Sequence, residues 1–225
     1  MNMLYQLRKQ SLSAVALMLT STMYLGTAQA DITGSAHDFS ASIADGQVCV
    51  ACHVPHNSDT TVADAPLWSQ TLTTQTFTMY TGPGSLDGAI DAQPTGVSKL
   101  CLSCHDGVTG MDSFGGANMP TQFVGTTAVL GTSLNDDHPI SIVYDSVTDT
   151  GLFDPATGVT VGLATATTKA RTGTIAGLML DGSNKVQCAS CHDVHNNYTG
   201  DTADYAPLLK VKKSNSSLCL TCHDK

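Results

Sequence analysis

The sequence predicts a mostly irregular, loop-rich fold. Its helices are short turns at four cysteine motifs, with one small β-hairpin region, around an interior that side chains alone do not fill. Three observations carry this. The chain has 225 residues and only 5% aromatic residues, a thin supply of large core-forming side chains for that length. Its eight cysteines occur only as four Cys-x-x-Cys pairs. The order of those pairs, with the segments around them, is repeated once along the chain.

The N-terminus reads as a targeting segment. Arg8 and Lys9 precede an apolar run from about Ser11 to Leu25, and Ala28-Gln29-Ala30 supplies the small-x-small cleavage pattern. Residues 1–30 are therefore expected to be a signal peptide, with the mature chain beginning at Asp31. The run is too short and too rich in Ser and Thr for a retained anchor, and no later stretch is apolar for long enough to span a bilayer. The mature chain is expected to be exported, to the extracellular space or cell surface or alternatively the periplasm. Without Arg8 and Lys9, eight basic residues face nineteen acids, all of them Asp. Eight less nineteen is a net charge of −11, which argues against nucleic acid or an anionic membrane as partner.

The pairs are Cys49/Cys52, Cys101/Cys104, Cys188/Cys191 and Cys219/Cys222, and each is followed at once by a histidine: His53, His105, His192 and His223. Four disulfides in an exported protein would give no reason for the trailing His, and neither would zinc sites made of two Cys-x-x-Cys pairs. Covalent c-type haem attachment does, because two thioether bonds hold the porphyrin and the adjacent His binds its iron. With eight His in 225 residues, four trailing His by chance have a probability of roughly one in a million. Four c-type haems are the expected cofactors.

Four further histidines remain as distal ligands: His37, His56, His138 and His195. The supply equals bis-histidine ligation at every haem. Met79, Met111, Met119 and Met179 are a rival set, read as core filling. Two imidazoles lack the thioether ligand that raises potential, so low-potential electron transfer is expected.

A duplication supports these roles. HDFS at His37 matches HPIS at His138, and VCVACHVPHN (48–57) matches QCASCHDVHN (187–196). ADAPLWSQ (63–70) matches ADYAPLLK (203–210), and SKLCLSCHD (98–106) matches SSLCLTCHD (216–224). Two dihaem modules are expected, 31–120 and 121–225. Between these anchors, ISIVYDS (140–146) and GVTVGLAT (158–165) alternate like strands around the turn DPATG, which predicts a hairpin within 138–185. Short helix is expected at the CxxCH segments and near the Ala-Pro-Leu stretches.

His56 lies three residues beyond His53. Trans ligands approach one iron from opposite faces, with Cβ atoms on the order of 10 Å apart, whereas residues three apart on a turn have Cβ atoms about 5–6 Å apart. His56 therefore serves another haem or none, and so does His195 beside His192. Our expectation is that His56 caps the haem at Cys101/Cys104 and His195 the haem at Cys219/Cys222. His37 and His138 then fall to the haems at Cys49/Cys52 and Cys188/Cys191, in an order that the sequence does not set.

The motifs CxxCHxPHN, CxxCHDxHN and the paired LCLxCH resemble the doubled-CXXCH multihaem c-type cytochromes. A secreted tetrahaem chain with a His near its mature N-terminus is similar, within that group, to subunits of extracellular cytochrome filaments, the microbial nanowires. The resemblance implies a multihaem cytochrome c fold with a haem-filled core, electron transfer along haems continuous between subunits, and one distal His donated by a neighbouring subunit. His37 would be that residue if His138 serves the module before its own; if His138 binds within its own module, His37 can do likewise and the protein can be a monomer. The partners would be the chain itself in a polymer, redox proteins and extracellular acceptors. The alternative is a monomeric periplasmic tetrahaem shuttle. An enzyme is not expected, since substrate chemistry needs an open iron position and the ligand count is full. The Asn-x-Ser/Thr sites at Asn197 and Asn215 read as chance matches.

Overall fold

The computed structural model describes residues 32–65, 67–82, 86–116, 120–162, 170–195 and 202–225. The chain divides between Ala30 and Asp31, at the expected cleavage point. The expected signal segment, Met119, Asn197 and the end of the GVTVGLAT stretch lie outside the described residues. Both sequence repeats belong to the second unit, Asp31–Lys225. Most of it is turn and loop; among the described residues no helix is long and apolar enough to cross a membrane.

The longest helix, α1 (Gly96–His105), carries the second cysteine motif. Thr95 caps it with extended backbone only; its hydroxyl instead donates to Asp91 Oδ2 at 2.6 Å. Leu100 and Leu102 bury one face and Ser98 and Ser103 are fully covered. The helix stops at Gly107, whose φ of 80° is the left-handed conformation that ends helices. A Cβ there would also stand 2.7 Å from Val129 Cγ1.

The other helices are single turns. They are α2 (Ile175–Leu178), α3 (Cys188–Cys191) and α4 (Thr202–Tyr205), with 3-10 turns at Thr126–Ala128, Ser214–Ser216 and Cys219–Thr221. In α2, Thr174 Oγ1 accepts from Gly177 N, satisfying one of the free donors of a helix start.

The strands pair differently from the expected hairpin. β1 (Ile142–Val143) runs antiparallel to β4 (Lys185–Val186), with Ile142 opposite Val186. β2 (Gly158–Val161) pairs antiparallel with β3 (Arg171–Thr174), with Val161 opposite Arg171. Asp154–Thr157 does form a turn, closed by Thr157 N to Asp154 O at 2.8 Å. Its flanks are not partners, because the segment before it is diverted to the fourth cysteine motif. Leu152 bridges His223, and Phe153 N donates to Cys222 O at 2.9 Å.

Two small apolar clusters result. Phe77, Met79, Leu102 and Leu134 form one, while Tyr144, Val161, Ile175 and Met179 form the other beside Cys222. Met79 and Met179 are thus core fillers, as a flexible thioether suits. Between the clusters, Asp91 and Lys185 form an ion pair at 2.6 Å, with side chains 28% and 21% exposed.

Burial pushes the Asp91 carboxyl up, but hydrogen bonds from Lys185 and Thr95 and the Lys185 charge outweigh it, so the net shift is downward. The folded state therefore prefers the carboxylate. The resulting stability is complete above the unfolded value of about 3.9 and is lost as pH falls through the lower folded value. Asp91→Asn should cost about 1–2 kcal/mol at pH 7. In denaturant titrations the gap to the parent should close as the pH is lowered past both values.

Candidate functional site

Each CxxCH motif is one helical turn, in which the His amide donates to the first Cys carbonyl. The distance is 2.9 Å for His53 to Cys49, 3.0 Å for His192 to Cys188 and 2.9 Å for His223 to Cys219, and His105 closes α1 in the same frame. One turn sets both thiols and the imidazole of a motif close together, as a porphyrin held at two edges and at its iron requires.

The repeat survives in the backbone. Val54 N donates to Leu67 O and Asp193 N to Leu208 O, both at 2.8 Å. Ser69 N donates to Cys52 O at 2.9 Å and Lys210 N to Cys191 O at 2.7 Å. Leu67 and Leu208 both take φ of 54°, a left-handed conformation that is strained for leucine. The Ala-Pro-Leu stretches are therefore braces for the CxxCHxxH segments.

Three imidazoles are oriented through Nδ1. His105 bonds Ala128 O at 2.7 Å, His192 bonds Pro207 O at 2.8 Å, and His138 bonds Pro139 O at 3.0 Å. A carbonyl only accepts, so each Nδ1 carries the proton and Nε2 is left with its lone pair, the tautomer a metal takes. His37 is held in a turn, its amide donating to Ser35 Oγ at 3.1 Å, and its buried Nδ1 has no hydrogen-bond partner. Burial, then the neighbouring His105, His192 and His195, push the His37 pKa down to about 4, so the ring is neutral and able to ligate.

The rings come together in pairs. His37 and His105 have centroids 6.1 Å apart, His53 and His195 6.1 Å, and His138 and His223 6.4 Å. Two Fe–N bonds of about 2 Å and the ring radii put trans imidazole centroids about 6.3 Å apart. Aromatic packing alone allows a broad range of about 4.5–7 Å, but each pair joins one CxxCH histidine to one of the spare set. The donor set therefore fits haem iron with two axial imidazoles.

These ring contacts differ from the ligand pairing that the sequence led us to expect. His37, not His56, faces His105; His138, not His195, faces His223; and His195 reaches the first motif. His56 is exposed, and it and His192 are the two histidines outside the three pairs.

All eight cysteines are free thiols. The second and third motifs meet through them, where the Cys101 and Cys188 thiols hydrogen-bond to each other. There the bond itself, ahead of burial, raises Cys101 and brings Cys188 down to about 7. Among the described residues no three His, Cys or Asp side chains gather as a chelating group, whereas tetrahedral zinc takes four ligands. A cleft of about 540 Å³ near Tyr144 and Pro155 is lined by neither His nor Cys.

The contact between the second and third motifs rests on α1 against α3. Ser98, fully buried, donates to Gln187 Oε1 and accepts from Cys188 N at 3.0 Å. Gln187 Nε2 continues to Asp181 Oδ2 at 2.8 Å. On the far side, buried Gln70 donates to Gly110 O at 2.7 Å and to Cys104 Sγ at 3.3 Å. Sequence reasoning missed these residues and the orienting carbonyls of Ala128, Pro139 and Pro207; only the repeated Ala-Pro-Leu hinted at one of them.

Compared with protein-family models and with curated protein sequences, the chain matches none. Its reading rests on its own residues.

Ser98→Ala should lower stability by about 1–3 kcal/mol, because it strands the Cys188 amide in a buried place. A urea titration of the full-length variant measures this.

Proposed function

We infer that the protein is an exported tetrahaem c-type cytochrome that carries electrons through four bis-histidine haems. The observation that carries this reading is the triple recurrence of a CxxCH imidazole facing a spare imidazole at iron-spanning distance. Attachment falls to Cys49/Cys52, Cys101/Cys104, Cys188/Cys191 and Cys219/Cys222. His53, His105, His192 and His223 are the proximal ligands, with His37, His56, His138 and His195 as the distal set. When bound, haem supplies one-electron chemistry by cycling its iron between ferric and ferrous states. The chain's own part is to hold the imidazoles with Nε2 free, to leave no iron position open to substrate, and to pack successive attachment sites against one another.

The His37–His105 pair favours a ligand set that is complete within one chain. A self-contained carrier is the form that the geometry supports best. Assembly into an extracellular conductive filament is the second reading. It would proceed by surface contact between complete units, which the basic-poor surface of the mature chain favours over electrostatic docking.

The secreted protein should be heavier than its mature chain by four haems and should show an entirely low-spin oxidised spectrum. Replacing both cysteines of one motif by Ala should remove one haem. An unmodified mass, or zinc in place of iron, ends this reading.

His37→Ala should turn one haem high-spin and leave the native size of the protein, filament or monomer, as in the parent. Loss of filaments in that variant, seen by electron microscopy, would reinstate ligand donation between subunits.

A further inference from the structure

Resting on the tetrahaem reading, we propose that the two CxxCHxxH segments exchange their second histidines. His195 caps the haem attached at Cys49/Cys52, and His56 caps the haem attached at Cys188/Cys191. The first haems of the two repeats are then held in common, and neither repeat completes its own.

The first half of the exchange is seen in the rings. His53, the proximal histidine of the first segment, faces His195, the second histidine of the other, at 6.1 Å and with planes only 20° apart. The second half follows from the likeness of the segments. Both are one-turn motifs closed by the same His-to-Cys hydrogen bond, and both are braced by the same pair of bonds to Leu67–Ser69 and Leu208–Lys210. The bracing leucines even share one backbone conformation. Two like segments joined by the first ring of one and the second ring of the other complete that contact symmetrically when they are opposed head to tail. In that arrangement the remaining contact is between the other first ring, His192, and the other second ring, His56.

Counting leads to the same place. The rings of His37, His105, His138, His223, His53 and His195 are taken up in pairs. His192 has its Nδ1 engaged by Pro207 O, which leaves Nε2 for a metal whose other axial place is open to one histidine. His56 is the histidine that remains. It cannot turn back on its own motif, because residues three apart on a turn are side by side rather than opposed. The α1–α3 contact supplies the closeness this needs, since it locks the third motif against the first repeat through Ser98, Gln187 and Cys188.

The experiment is done in the full-length secreted protein. His56→Met places a thioether ligand on one iron, which marks that haem by the near-red ferric charge-transfer band of His/Met ligation. The variant is then combined with removal of one haem at a time, by Cys188→Ala with Cys191→Ala or by Cys101→Ala with Cys104→Ala. The band should be lost in the first combination and kept in the second. Loss in the second, or persistence in both, overturns the exchange. If methionine does not bind, His56→Ala is read through the same combinations by its high-spin signal, and the absence of any changed haem overturns the proposal too. His195→Met should behave reciprocally, its band lost with Cys49→Ala and Cys52→Ala. Intact mass in every sample counts the haems, so failure of the tetrahaem reading itself, a chain with no haem mass, is distinguished from failure of the exchange.

Discussion

Two imidazoles on opposite sides of one metal stand about 6.3 Å apart and point at each other, so they cannot come from one turn of chain. This constraint organises the molecule. The histidine ring pairs that the tetrahaem proposal reads as ligands are all long-range contacts, from His37 to His105, from His53 to His195 and from His138 to His223. Under the proposed tetrahaem function, a chain poor in aromatic residues would fold around such pairs because the pairs and the haems they hold would take over what a large apolar core does. The described apolar clusters are correspondingly small, and much of the buried polar inventory, Ser98, Ser103, Gln70 and Gln187, serves to fix the motifs.

The supports around the histidines are mostly backbone. Carbonyls of Ala128, Pro139 and Pro207 set three tautomers, and an amide ladder braces each CxxCHxxH segment. Such groups leave no letter in a sequence, which is why the residues point to candidate ligands but not to what orients them. The Ala-Pro-Leu stretches, legible only as a repeat, turn out to be those braces. The antiparallel pair expected within 138–185 is present as β2 against β3, but the pairing expected across DPATG is not, for a related reason. Alternation marked β1 and β2 as strands, but partner choice depended on Leu152 and Phe153 being drawn to the fourth motif.

The ligand pairing shows where local argument stops. Spacing argued that His56 and His53 cannot share one iron. It then favoured partners within each repeat, because sequence proximity was the only guide left. In the structure two ring pairs stay within a repeat, His37 with His105 and His138 with His223, and one crosses, His53 with His195, where α1 packs on α3 and draws the third motif against the first half of the chain.

The sequence by itself supplied the whole basis of the proposed chemistry: four thiol pairs each with its histidine, four more histidines in matching places, an N-terminus that reads as an export signal, and a duplication that keeps the motifs in order. Only the tertiary structure decided who faces whom. The same LCLxCHD words form the end of a ten-residue helix at Cys101–His105 and a lone 3-10 turn at Cys219–Thr221. Upstream, Ser98 is buried against Gln187 in the first copy, whereas Asn215 and Ser216 break the helix with positive φ in the second. A motif sets the distances within one turn; which distant turn lies opposite is settled by packing between turns, and that is a property of the whole chain.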